Sequence, residues 1–238
     1  MNKHFQGIAV LVLGLLMPVL GSHKPAKPQT RTLLVKSVRV APCLLYYPES
    51  YQADRDTDLL IILHGNGGNA VSFARIWDAF ADPSFIMAVP QGAYDVSGGS
   101  HRGRAMFSWY YLTDSRAIWK MADPLAEESI ENVIDAVRAA QRINRVFILG
   151  FSQGASLAYA VGIKNHGKVD GIIALAGIFP QESLTADQVA AARHLPVFVA
   201  RGHQDAQVPQ AVFDHQVKRL REGGFDLTAF SFRGGHEL

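Results

Sequence analysis

A mostly parallel α/β sheet with helices on both faces is the architecture that this 238-residue sequence predicts. Short apolar runs recur along the chain and read as buried parallel strands, among them LLIIL at 59–63 and VFILG at 146–150. Segments with helical spacing alternate with these runs, and such alternation folds into a parallel sheet whose crossovers are helices. Composition sets the scale. With 48% hydrophobic and 18% charged residues, the chain suits one globular domain with a large core, which excludes disordered and fibrous classes.

From the start, MNKHFQGIAVLVLGLLMPVLGSHKP carries Lys3, an apolar run over 8–20 broken by Pro18, then the small residues Gly21 and Ser22. This is a signal-peptide pattern over residues 1–21. The run is short for a membrane span, which needs about 20 apolar residues. No stable span is expected, and the protein is expected to be exported, periplasmic or secreted, with an uncleaved anchor as the alternative. Residues 22–34 form a basic, proline-containing linker, and a folded domain is expected over 35–238. LLVKSVRV and CLLYYP read as an opening antiparallel pair. Four buried strands follow at 59–63, 85–90, 146–150 and 171–177, and PVFVARG and LTAFSF complete the set. The clearest helix is DPLAEESIENVIDAVRAAQR, read with Pro124 near its first turn and with Leu125, Ile130, Val133, Ile134 and Val137 mostly on one face.

The formal net charge is +2, and no Lys/Arg run interleaves with aromatic residues, so a nucleic-acid partner is not expected. Cys43 is the single cysteine and forms no internal disulfide; it reads as a small buried or half-buried side chain. No internal repeat is present.

In such sheets ligands bind beyond the carboxyl ends of the strands. Three of these loops carry reactive residues. GFSQG, at 150–154, fits G-x-S-x-G between a strand and a helix. Gly150 and Gly154 remove β-carbons that a sharp turn would bring into collision, which exposes Ser152 at the strand tip. The plainer alternative is a glycine-flanked helix N-cap. A serine hydroxyl needs a base, an orienting carboxylate and donors for a developing oxyanion. Asp205, in ARGHQDAQVP, and His236, in FRGGHEL, follow later strands in the chain order Ser, Asp, His. His203 is the nearest rival base but shares the Asp205 loop; His166 lies in a polar turn, His194 and His215 in helical stretches, and His101 in a Gly/Arg-rich loop. Asp170, Asp187, Asp214 and Asp226 read as solvated charges or caps.

The loop LHGNGGN after the first buried strand can turn backbone N–H groups toward an oxygen, and Asn66 and Gln153 are the expected donors. His64 reads as a buried residue bracing this loop. The Lys-Ser/Thr ending of a phosphate-binding loop is absent, as are H-E-x-x-H and paired Cys/His spacings, so no metal or organic cofactor is expected.

From about residue 59 to the end, these motifs resemble the α/β-hydrolase superfamily, and within it the carboxylesterase/phospholipase group that includes acyl-protein thioesterases and bacterial esterases. The resemblance rests on LHGNGG, GFSQG, GHQDAQVP and GGHEL, with MFSWYYL similar to the group's aromatic loop near the acyl pocket. It implies Ser152, Asp205 and His236 as the triad, Asn66 and Gln153 as the oxyanion hole, and Trp109 and Met106 at the substrate pocket. The plainer alternative for Trp109, Tyr110 and Tyr111 is that they are ordinary core aromatics. The resemblance also implies a further helix after the histidine loop; the sequence stops at Leu238, so this helix is expected to be missing, and a frayed end would leave His236 poorly held. The stretch from Asp95 to Asp123 is expected to be an irregular lid or binding loop. Gly68 stands where the group commonly has an acid, a feature shared with extracellular polyester and feruloyl esterases.

The expectation is thus a serine esterase acting on a small-molecule ester as a monomer or homodimer. A non-catalytic secreted binding protein on the same fold, a thioesterase or lysophospholipase, and a peptidase or acyltransferase are the alternatives.

Overall fold

Seven strands form one sheet in the computed structural model, which describes residues 40–98, 105–114 and 116–237, without the side chains of 116–121. The leader, the linker, the run LLVKSVRV up to Arg39, and His101 lie outside these residues. The strands run β1 (Cys43–Tyr46), β2 (Thr57–Leu63), β3 (Phe85–Pro90), β6 (Ile143–Phe151), β7 (Gly171–Leu175), β8 (Pro196–Gly202) and β9 (Asp226–Phe232). Between β3 and β6, β4 (Tyr94–Asp95) and β5 (Phe107–Ser108) pair as a small antiparallel ladder. The helices are α1 (Ala70–Phe73), α2 (Arg116–Ala140), α3 (Gln153–Lys164), α4 (Ala186–Ala191) and α5 (Gln210–Glu222).

The spatial order is β1-β3-β2-β6-β7-β8-β9, with β1 antiparallel to β3 and every other pair parallel. The connection after β2 leads outward to β3, whereas that after β6 leads the opposite way to β7. Such a reversal opens a crevice at the carboxyl ends of two neighbouring strands.

Strand periodicity builds the two faces of the core. Leu59, Ile61 and Leu63 join Ile86 and Ala88, together with Ile130 and Ile134 of α2 and Leu157 of α3. The alternate residues Leu60 and Ile62 join Met87, Val89, Ala70 and Ala74 in a second cluster.

Several local expectations change. Helix α2 begins at Arg116, so Pro124 is interior and the acids after it lie outside the first turn. Proline removes one ladder donor, but the apolar face centred on Ile130 and Ile134 continues past it. Within the stretch from Asp95 to Asp123, the described residues hold the β4–β5 pair and the start of α2, while most of SGGSHRGRA lies outside them. Asp170 ties strand starts together by accepting the Val146 amide at 2.8 Å, and His194 sits in the turn after α4 rather than in a helix.

Candidate active site

Ser152 stands where β6 ends and α3 begins, with φ 53° and ψ −117°, a conformation that residues bearing a β-carbon rarely adopt. Its amide donates to the Leu175 carbonyl at 2.9 Å, which anchors the corner to β7. A β-carbon on Gly150 would overlap the Gly154 carbonyl, and one on Gly154 would overlap the Leu63 carbonyl, so both glycines are sterically required. The Ser152 side chain does not cap α3. Its Oγ instead lies 2.9 Å from His236 Nε2.

The other nitrogen of that ring, Nδ1, lies 2.8 Å from Asp205 Oδ2. Asp205 is 3% exposed. Its Oδ1 accepts the amides of Gln207 and Val208, each at 2.8 Å, which leaves Oδ2 for the ring. Burial raises the Asp205 carboxyl, but the Val208 amide, the His236 ring and the Gln207 amide together hold it below the ordinary carboxylate value. A single chain of hydrogen bonds therefore runs from hydroxyl to imidazole to carboxylate.

Backbone hydrogen bonds hold the segment that carries His236. The His203 amide donates to Phe232 O and the Gln204 amide to Gly234 O, both at 2.8 Å, lacing the β8 loop to the residues after β9. Buried Arg201 secures the same loop through His203 O at 3.0 Å and through Gln210. His203 thus shapes the turn.

Asn66 follows a glycine that lies against the serine: a β-carbon on Gly65 would stand 3.3 Å from Ser152 Cβ. The amides of Asn66 and Gln153 make no hydrogen bond among the described residues. His64, fully buried, accepts the Gly92 amide at Nε2 (3.0 Å), and its Nδ1 lies 2.8 Å from Gly65 O. Burial holds this imidazole below its usual value and so neutral, while the Gly65 carbonyl opposes the shift.

Trp109 packs behind this loop rather than in the wall of a pocket. It is 1% exposed, stacks on His64 with ring centres 4.7 Å apart, and donates Nε1–H to the His64 carbonyl at 2.7 Å. A buried indole must place its N–H, and the nearby backbone supplied the partner. Met106 is exposed, and neither residue lines the cavity beside Ser152. That cavity, about 140 Å³, is bounded instead by Ser156, Ala176, Gly177, Ile178, Gln207 and Val208, together with Ser152, Gln153 and His236.

The side-chain roles of two glutamines, Gln153 and Gln216, were not read from the sequence. The Gln153 side chain accepts the Trp109 amide at 2.9 Å and donates to Ser108 Oγ at 3.0 Å, tying the start of α3 to β5. Buried Gln216 of α5 holds the loop after β7 through Phe179 N and Gly177 O. The signal for Gln216 was there: it is a polar residue on the helix face made by Phe213, Val217 and Leu220. Among the described residues no group of three His, Cys, Asp or Glu side chains converges as a metal site requires. Burial pushes the Cys43 thiol up to about 11, against a backbone hydrogen bond at Val89, so it stays protonated.

The sequence model of the phospholipase/carboxylesterase family matches residues 50–237. Acyl-protein thioesterase 1 of Kluyveromyces lactis is 25% identical over 196 residues, covering 74% of this chain and 81% of its own. A putative hydrolase, MhqD, of Bacillus subtilis is 22% identical, covering 79% and 90%. Among solved structures, esterase PE8 superposes with a TM-score of 0.64 at 22% identity, covering 83% of this chain and 90% of its own. A phospholipase/carboxylesterase from Dyadobacter fermentans superposes with a TM-score of 0.62 at 21% identity, covering 84% and 90%.

Proposed function

From the premise that this chain belongs to the phospholipase/carboxylesterase family, on an α/β-hydrolase fold, we propose that it cleaves carboxylic esters through an acyl-enzyme on Ser152. The observation that carries this reading is the hydrogen-bond chain Ser152 Oγ, His236 Nε2, His236 Nδ1, Asp205 Oδ2. As Ser152 Oγ attacks the ester carbonyl, His236 Nε2 takes its proton, and Asp205 stabilises the imidazolium that results. The Asn66 and Gln153 amides hold the oxyanion that forms. The tetrahedral intermediate collapses, the alkoxide leaves with the proton from His236, and the acyl group stays on Ser152. Water then attacks the acyl carbonyl, giving its proton to His236, and the acid departs as Ser152 regains its hydrogen.

Hydrolysis of p-nitrophenyl esters by the wild type and by Ser152→Ala tests the reading. Activity that vanishes in the folded variant supports it; activity indifferent to Ser152 overturns it, and a folded wild type without activity favours a binding protein on this fold. A thioesterase reading is supported by acyl-protein thioesterases among the relatives. It predicts that a thioester matched in acyl group is cleaved faster than the oxyester, and the ester reading predicts the reverse. The proposal includes export, supported by the apolar run over 8–20 and the small residues after it. Cell fractionation of the full chain checks that part.

A further inference from the structure

Resting on Ser152 as the nucleophile, we infer that the substrates are esters of short, uncharged acyl groups, about two to five carbons long, a span set by cavity capacity. The volume is the first reason. The cavity beside Ser152 measures about 140 Å³. An apolar cavity of ~150 Å³ holds one benzene ring, whereas sites for drug-sized ligands run from ~300 to ~1,000 Å³.

The walls are the second reason. Ala176 and Val208 are each 2% exposed, and Gly177 presses on α3 so closely that a β-carbon there would overlap the Ala155 side chain. This end of the cavity cannot deepen without moving backbone. Ile178 stands at the rim, 48% exposed, so any chain that passes it enters water. The closed end suits the part that remains on Ser152, because the alcohol must leave past His236 and be replaced by water.

Charge is the third. No Lys, Arg, Asp or Glu lines the cavity among the described residues; its polar groups are neutral Ser156, Gln153 and Gln207 beside His236. A carboxylate or phosphate on the acyl group would lose water there and gain no countercharge.

The test is kcat/KM for p-nitrophenyl esters from acetate to dodecanoate, with the succinate half-ester as a charged acyl, in wild type, Ser156→Leu and Ile178→Ala. In the wild type, each methylene that fits should raise kcat/KM by up to about fourfold, the equivalent of ~0.8 kcal/mol per buried CH₂. The rise should stop by about pentanoate and the succinate half-ester should be poor. Ser156→Leu fills the cavity and should move the optimum toward acetate; Ile178→Ala opens the rim and should move it to longer chains. Neither residue belongs to the proposed catalytic machinery, and circular dichroism checks that both variants fold. An optimum at decanoate or beyond, or a profile that neither variant moves, overturns the inference while leaving the ester reading standing. So does a length cut-off found only when the alcohol is varied at constant acyl group. A folded wild type that hydrolyses none of the esters, or whose activity survives Ser152→Ala, removes the ester reading and this inference with it.

Discussion

Strands β2 and β6 carry polar side chains at both of their ends, and the two ends handle them differently. At the amino end Asp58 pairs with Arg145 at 2.6 Å and Asp56 with Arg142 at 2.8 Å, with Asp56 and both arginines largely exposed and Asp58 partly buried. At the carboxyl end His64 is fully buried, Ser152 takes a positive φ, and beyond the neighbouring β8 Asp205 is buried within a cage of amides. The two carboxylates make the contrast concrete. Burial raises each, and each is nevertheless held below its ordinary value: Asp58 chiefly by the Arg145 guanidinium and amide, Asp205 by backbone amides and the His236 ring. Water shares the load at the first and is excluded from the second. The same direction of shift thus accompanies an ion pair shared with solvent at one end and a buried carboxylate bonded to His236 at the other.

Substitutions at the carboxyl end test this contrast most severely. Ser152→Ala should lower kcat by at least ~10⁴-fold with the fold retained, since a nucleophile acting with its base and carboxylate is lost as a unit. Asp205→Asn should cost ~10³ to ~10⁴-fold, because an amide in place of Oδ2 can favour the wrong imidazole tautomer. Single-turnover kinetics with circular dichroism checks both, and a loss below tenfold in either would break the comparison. Gln153→Ala keeps the backbone donor but cuts its tie to Ser108 and Trp109. It should lower kcat by about 10-fold with little change in KM, less than the 10² to 10³ expected when an oxyanion donor is removed outright.

His64 predicts a pH effect of known sign. Its folded value lies below that of the unfolded imidazole, which is about 6.5. As pH falls below that point the unfolded chain takes up a proton that the folded protein refuses. The stability present above about pH 6.5 is therefore lost on acidification. Asp205 is lowered as well, and its contribution is lost only as pH falls through the carboxylate range, near about 4. His64→Gln retains an acceptor for Gly92 and should flatten melting temperature against pH between about 6.5 and 5. An unchanged slope would show that the ring is not held neutral.

The parallel strands were legible because burial on both faces left unbroken apolar runs such as LLIIL. The corner at Ser152 was legible because only glycine fits at 150 and 154. Asp205 and His236 could be placed at strand ends by order, but the amides that orient Asp205 are backbone groups with no side-chain signature. Trp109 was ambiguous, since an aromatic residue suits a pocket and a core alike; the His64 carbonyl that takes its N–H is distant in sequence and decides the matter. The start of α2 was hidden because Pro124 imitates a first-turn proline.

The smallest predicted effect completes the comparison. Asp58→Asn removes one carboxylate of an ion pair whose arginine is 56% exposed. It leaves an amide that can still accept from the Arg145 amide, as the Asp58 carboxylate now does at 3.2 Å. Exposed pairs are weakened by water and salt and lose side-chain entropy on forming. The variant should keep the wild-type kcat/KM within about twofold. Its melting temperature should move less than that of His64→Gln, and the difference from wild type should shrink further at high salt, because screening already removes most of what the pair supplies. A fall in activity beyond that would mean that the amino ends of β2 and β6 set the register of Gly65 against Ser152. The two ends of the sheet would then act as one unit instead of two.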